Sequence, residues 1–403
     1  MARSILLIFM TISMGASAAA QAVAPAAVAG AVTLTPRQGG ATLSLDLTAE
    51  IAYDIAVMRQ PDRIVIDLPK VVFGPAPARG PARIAPVAAF RYGLFFADRS
   101  RLVIDLSEPG LVEKVDSVEE GGRRRLVFHI QRVDRKRFEA VAAEQQRERQ
   151  ASLPAVPAAP PARVEGSLPV VVIDPGHGGI DPGASAVDGE SEKAVVLALG
   201  LALRDRLDRS GKVRPVMTRT TDVFVSLSDR VRIAREHGAA LMLSLHADTL
   251  AYEPGVRGAS VYMLSEKASD VISARLADSE NRSDQIAGVE TREEENPVGD
   301  ILFDLTKRET RHFSHALARQ VADSLQQSTP MHKNALRSAG FRVLTAPDVP
   351  SVLIEVGYLS SAEDAKLMQS ADWRAGMTAA MAQAVEKFIG ENATRGGNSP
   401  PRP

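Results

Sequence analysis

Residues 170–184 read VVVIDPGHGGIDPGA, and the reading of the chain turns on them. Val170, Val171, Val172 and Ile173 form a short β-branched run, closed by Asp174-Pro175 and then by Gly176-His177-Gly178-Gly179. An apolar run this short, ended by proline and glycine, predicts a buried strand entering a tight loop. The loop sets one imidazole at the carboxyl end of the strand, the edge where open α/β sheets bind ligands. The glycines let backbone and ligand come close. By itself a Gly-His-Gly turn is also an ordinary structural loop, and three later stretches bear on the choice.

The first is AALMLSLHAD, residues 239–248, in which a buried strand again delivers a histidine, His246, to its carboxyl end. The second is Gly189-Glu190-Ser191-Glu192-Lys193, which opens a helix after the glycine-rich loop. A carboxylate in a first helical turn ordinarily complements the helix dipole. Beside two imidazoles, Glu190 or Glu192 would complete a site suited to zinc, with a fourth position left for water. The third is VPSVLIEVGYLSS, residues 349–361, where Glu355 interrupts an apolar strand. Burying an unpaired carboxylate is expensive. Glu355 is therefore either half of a buried ion pair or a general base or acid beside the metal.

Working outward, strand and helix patterns alternate from 168 to about 389. Strands are expected at 170–174, 213–218, 240–245, 258–264, 341–345 and 351–356, and helices at 192–209, 228–237, 301–326 and 372–388. Such alternation predicts an α/β domain with a sheet flanked by helices. Two connections are too short for a helical crossover, so the sheet should be mixed. Before this domain, residues 31–135 hold several short strands, among them RIVIDL (63–68), RLVIDL (101–106) and RLVFHI (125–130), separated by glycine and proline clusters. This pattern predicts an all-β sandwich domain. It carries no nucleophile, metal cluster or phosphate loop, and reads as a binding module. Residues 136–167 are charged and Ala/Gln-rich, with some helical character, and then Ala/Pro-rich; they are expected to link the two domains. Residues 391–403 are expected to be a disordered tail.

At the N-terminus Arg3 precedes an apolar run from Ile5 to Met14, followed by small residues at 15–20. This is the layout of a signal peptide, expected to end near residue 22, too short to span a bilayer. The 403 residues contain no cysteine, which excludes disulfides and thiolate metal sites, so any metal must use His, Asp or Glu. A net charge of −1 provides no basic field for nucleic acid. The Gly-rich loop, with His and Pro where spaced glycines are needed, is no dinucleotide fingerprint. His129, His237, His312, His315 and His332 are given structural readings; His332 is placed in a polar loop.

The stretches DPGHGGIDPGA (174–184), Glu192-Lys193, TRTTDVFVSLSDRVRIA (218–234), SLHAD (244–248), RGASVYMLS (257–265) and SAGFRVLTAPDVPSVLIEVGYLSS (338–361) resemble, in order, the zinc-dependent N-acetylmuramoyl-L-alanine amidase catalytic domain. QPDRIVIDLP (60–69) and RLVIDL (101–106) resemble the AMIN domain of cell-wall amidases. The resemblance implies one zinc ion per catalytic domain (168–390), held by His177, Glu192 and His246, with Glu355 as the catalytic glutamate. Glu192 is preferred to Glu190 because the family's ligand directly precedes the lysine. It implies hydrolysis of the amide between N-acetylmuramic acid and L-alanine of the stem peptide, peptidoglycan as partner, a periplasmic location, and work in cell-wall remodelling and daughter-cell separation. The acidic, partly helical segment 265–300 resembles the autoinhibitory insert of division-associated amidases, in which a glutamate takes the open metal position. Glu280 is the candidate, with Glu293, Glu294 and Glu295 as rivals and a merely solvated acidic surface as the alternative; a LytM-domain-type activator is the implied partner. Two alternatives stand beside this reading: a zinc peptidase cutting within the stem peptide, and a non-catalytic wall-binding regulator.

Overall fold

The computed structural model describes residues 27–73, 79–80, 84–120, 123–151, 167–186, 189–250, 253, 255–290 and 301–394. The expected signal peptide, the Ala/Pro-rich part of the linker, residues 395–403 of the tail, and Glu293, Glu294 and Glu295 lie outside the described residues.

Ten strands form the N-terminal domain: β1 (Ala27–Arg37), β2 (Gly40–Leu47), β3 (Asp54–Met58), β4 (Arg63–Pro69), β5 (Val71–Phe73), β6 (Arg79–Gly80), β7 (Val87–Phe96), β8 (Arg99–Leu106), β9 (Gly110–Glu120) and β10 (Arg123–Arg132). They make two sheets, ordered β5-β1-β2-β10-β9 and β3-β4-β8-β7-β6. Alternation along each strand sends Leu43, Leu45, Phe128 and Ile130 from one sheet against Ile64, Ile66, Leu102 and Ile104 from the other. This is the all-β sandwich the strand pattern predicted. Helix α1 (Arg135–Ala151) occupies the head of the span expected as linker, and its Phe138 and Ala142 pack on Val57 and Leu111 of the sandwich.

The C-terminal domain carries a six-stranded mixed sheet, ordered β12-β11-β13-β16-β14-β15. Its strands are β11 (Val170–Pro175), β12 (Arg214–Met217), β13 (Leu241–His246), β14 (Ala259–Leu264), β15 (Met331–Ala339) and β16 (Ser351–Glu355). β11, β12, β13 and β16 run parallel, and β14 pairs antiparallel with β16. Strands covered on both faces need apolar residues at every position, as in β11. Val171 and Ile173 face a core built with α2 (Glu192–Ser210), α6 (Ile301–Leu325) and α8 (Ala371–Thr394). Val170 and Val172 face the opposite core, with α3 (Leu227–Glu236) and α4 (Val271–Glu280). Two short helices complete the domain, α5 (Ser283–Ile286) and α7 (Ala362–Gln369).

Two sequence expectations need correction. Residues 341–345, expected as a strand, contain a 3₁₀ turn, Arg342–Leu344; Phe341, Val343 and Leu344 are buried in the core shared with α3 and α4 rather than in a ladder. The last strand of the sheet is instead β15, and it includes His332, which is 7% exposed rather than in a polar loop. Among the described residues β15 is an edge strand paired only with β14. Its polar sequence, MHKNALRSA, lacks the apolar run of a central strand.

Candidate metal centre

Three parallel strands end at one place. His177 lies two residues past β11, while His246 and Glu355 are the last residues of β13 and β16 and sit opposite each other in the ladder. Glu192 is the first residue of α2 and Glu280 the last of α4. Ligand atoms of His177, Glu192, His246 and Glu280 all lie within 4.8 Å of one another, and all four residues are buried. His177 Nε2 is 3.2 Å from Glu192 Oε2 and 3.4 Å from Glu280 Oε2. His246 Nδ1 is 3.2 Å from Glu192 Oε1 and 3.0 Å from Glu280 Oε2. Glu190 is not part of the cluster.

Each ligand is held by its surroundings. His177 adopts φ +57°, a conformation that costs a non-glycine residue about 1–3 kcal/mol and persists only where neighbours over-determine it. They do. Its carbonyl accepts from Arg230 Nη2 at 2.8 Å, and its Nδ1 contacts Asp181 Oδ2 at 2.9 Å. Arg219 donates to the carbonyls of Pro175 and Gly176 at 3.0 and 2.7 Å. Arg230 is itself fixed by a buried pair with Asp174 at 2.6 Å, and Asp174 also accepts from Thr218 and Ser244. Glu192 accepts from the backbone N–H groups of Ala184 and Ala247 at 2.9 and 2.8 Å. Gly183 must lack a side chain, since a Cβ there would lie 2.6–2.8 Å from His177 and Glu192.

The electrostatics call for a cation. Burial resists charge on His177, yet Glu192, Asp181 and Glu280 hold its pKa well above the imidazole value. For His246, burial is likewise outweighed by Glu280 and Glu192, which drive it up to about 10. Burial opposes ionisation of Glu192 too, but the two imidazoles pull its pKa well below the usual carboxylate range. Among the described residues the buried His177 Nε2 has no hydrogen-bond partner, and it points into the cluster. An orphaned buried nitrogen of this kind asks for an explanation. Two imidazole nitrogens and two carboxylates make a donor set that fits zinc.

Glu355 stands beside this cluster. It is fully buried; Oε2 accepts from the Asp248 N–H at 3.0 Å, and among the described residues Oε1 has no hydrogen-bond partner. Burial first, then the Glu192, Asp248 and Glu280 carboxylates, push its pKa well above the ordinary range, against the opposing pull of His246. Asp248 is pushed up to about 8, by burial and then by Glu280 and Glu192.

Residues 265–290 cover the centre. Asp270 caps α4 by accepting from the Ser273 N–H at 2.8 Å, and Arg337 holds Asp270 at 2.7 Å. Leu276 and Ala277 pack among Tyr262, Phe341 and Val343. Beyond Glu280, Asn281 bonds the backbone of Gly340 and Arg342, Ser283 donates to Asp181 Oδ2 at 2.5 Å, and Asp284 caps α3. The space left beside His177, His246 and Glu280 is about 10 Å³, at the lower bound for one water and far below the ~300 Å³ of a small-ligand pocket.

The sequence reading named the four clustered residues and Glu355, but not Asp174, Asp181, Arg219, Arg230 or Asp248. Arg230 had a visible signal: with Leu227, Val231 and Ala234 it lies on the buried face of α3, where an arginine needs a buried partner. Asp181 orients His177 as carboxylates orient metal-ligating imidazoles. Asp181→Ala is expected to weaken zinc binding by about 10–100-fold, measured by competition with a chromophoric chelator.

The family model described as N-acetylmuramoyl-L-alanine amidase matches residues 171–387, and the AMIN domain model matches residues 31–130. The N-acetylmuramoyl-L-alanine amidase AmiC of Neisseria meningitidis serogroup B is 31% identical over 91% of this chain and 91% of that protein. AmiA of Escherichia coli K12, also an N-acetylmuramoyl-L-alanine amidase, is 38% identical over 57% of this chain and 79% of that protein. The solved structure of the N-acetylmuramoyl-L-alanine amidase AmiC2 of Nostoc punctiforme is 29% identical, with 55% of this chain and 97% of that one covered and a TM-score of 0.41.

Proposed function

This chain belongs to the N-acetylmuramoyl-L-alanine amidase family and carries an AMIN domain, and we propose that it is a zinc amidase of peptidoglycan that holds itself inactive through Glu280. In this reading His177, Glu192 and His246 are the zinc ligands, and Glu280 fills the position that the substrate and water need. The observation that carries it is the contact of one Glu280 carboxylate oxygen with both imidazoles, at 3.4 and 3.0 Å.

When bound, zinc supplies Lewis acidity, polarising the scissile carbonyl and lowering the pKa of water. The chain's own groups do the rest. Glu355 takes the proton of the attacking water and returns it to the leaving nitrogen of L-alanine, a task that favours a carboxylate whose pKa is raised, as burial and the neighbouring carboxylates raise this one. Asp248 orients it through its N–H. Asp181 fixes the His177 ring so that Nε2 faces the ion.

The AMIN domain brings the enzyme to the wall, in the periplasm, for remodelling and daughter-cell separation. Among the described residues no helix is long and apolar enough to cross a membrane. A partner that prefers the open form must shift the population. The resemblance of the insert to those of division-associated amidases favours a LytM-domain-type activator. Glu280→Ala is expected to release stem peptides from dye-labelled sacculi about 5–150-fold faster than wild type without activator, the span of an ordinary coupling free energy. Soluble peptides beginning at L-alanine would identify the amide cut. An unchanged rate with zinc bound would sink the plug, and fragments cut inside the stem would indicate a peptidase.

A further inference from the structure

The repeated strands RIVIDL and RLVIDL have two faces. Ile64, Ile66 and Leu68 in β4, with Leu102 and Ile104 in β8, fill the sandwich core. Arg63, Val65 and Asp67, with Arg101, Val103 and Asp105, point the other way by the period of a strand. An outward face of a sandwich is ordinarily solvated. Here Arg63, Val65, Arg101 and Val103 are only 2%, 1%, 8% and 0% exposed. What covers them is the catalytic domain. Met58, Val65, Phe95 and Val103 form one apolar cluster with Ile180, Phe224 and Ala287, and the rings of Phe95 and Phe224 stack at 5.7 Å.

The polar half of the contact is directed at the segment just beyond Glu280. Arg63 donates to the carbonyl of Gln285, Arg91 to that of Ile286 at 2.5 Å, and Arg101 to those of Ala287 and Gly288 at 3.1 and 2.9 Å. These carbonyls lie at and after the end of α5, where no continuing helix supplies donors; that of Gln285 also accepts from the Gly288 N–H at 3.1 Å. The guanidinium groups are aimed in turn: Arg101 by Asp67 at 2.6 Å and Arg91 by Asp105 at 2.5 Å. Arg149 of α1 adds an ion pair to Glu290 at 2.8 Å. On the other side, Ile180 of the His177 loop donates to the Leu94 carbonyl at 2.9 Å. Gly93 permits that approach, since a Cβ there would meet the Ile180 backbone at 2.8 Å.

We propose that the β-sandwich is the brace of the plug: its β4-β8-β7 face grips residues 285–288 through Arg63, Arg91 and Arg101, so that Glu280 leaves the metal centre only when this contact between domains opens. The proposal rests on the autoinhibition argued above. It gives the AMIN domain a second task besides wall binding. It also makes the arginine face available to any other ligand only in the open enzyme.

The test uses the full-length, zinc-loaded chain with Gly93→Val and, separately, with Arg91→Ala and Arg101→Ala together. Gly93→Val wedges the interface without removing a sandwich-core contact, and valine suits a strand. Deuterium exchange over 276–290 is read beside exchange over the sandwich strand 102–106, with basal release from labelled sacculi as the second readout. The brace predicts faster exchange over 276–290 in both proteins, unchanged protection over 102–106 in Gly93→Val, and a basal rate about ten-fold above wild type. Wild-type exchange over 276–290 in both proteins would overturn it. If loss of the two arginines loosens 102–106 as well, the Gly93→Val exchange decides alone. Glu280→Ala separates the two readings. If it activates while exchange over 276–290 is unmoved by the interface variants, the brace fails and the plug stands. If it fails to activate while those variants loosen 276–290, the domains are coupled but the plug reading is wrong.

Discussion

Glu355→Gln is expected to lower peptidoglycan hydrolysis by about 10²–10⁴-fold while zinc remains bound. The background for this assay is Glu280→Ala, where the centre is open. The carboxylate is fully buried, has one oxygen without a partner, and accepts only the Asp248 N–H at its other oxygen. Glutamine keeps the shape and the acceptor but cannot carry a proton. Its effect on stability should run the other way. Burial and three neighbouring carboxylates raise the folded pKa of Glu355, so its ionised form disfavours folding and a neutral side chain relieves that. The variant should therefore unfold at or above the wild-type temperature in calorimetry of the metal-free proteins. A variant that loses both activity and stability would make Glu355 a structural residue.

His177→Asn is expected to abolish both zinc and activity, taking bound metal from about one ion per chain to near none. Asparagine is chosen because residue 177 sits at φ +57°, and asparagine tolerates that region better than alanine. The backbone carbonyl that Arg230 holds is kept, so the loop should persist. What goes is Nε2, the buried nitrogen with no hydrogen-bond partner. Metal content by atomic emission, read beside turnover, separates this variant from Glu355→Gln: both are inactive, and only one is metal-free. Zinc retained at wild-type stoichiometry in His177→Asn would remove His177 from the ligand set.

Much of this was legible in the sequence, for definite reasons. A short apolar run that must end at a polar residue marks a central strand and its carboxyl edge at once, which is why His177 and His246 could be placed together before any coordinates, while Glu355 was legible as a carboxylate interrupting an apolar strand. The mixed sheet followed from connections too short to cross over, and β14 does run against β16. The edge strand β15 was missed because it is covered less fully, and its polar sequence mimics a loop. The stretch 341–345 misled because Phe341, Val343 and Leu344 are apolar for the sake of the core with α3 and α4 rather than a sheet. The residues that hold the ligands were harder. Asp174, Asp181, Arg219 and Arg230 matter through contacts between segments about 45 or more residues apart, or through the shape of one loop, and neither has a local period. The outward face of RIVIDL and RLVIDL was quoted as strand alone. Its arginines gain meaning only once another part of the chain covers them.

The central claim is a four-ligand zinc centre that Glu280 closes, and zinc-edge anomalous diffraction from crystals of the full-length chain addresses it directly. A single peak per catalytic domain is expected, bonded to His177 Nε2, His246 Nδ1 and carboxylate oxygens of both Glu192 and Glu280. A peak held by the first three residues with Glu280 turned away, or no peak in a folded chain supplied with zinc, would contradict it.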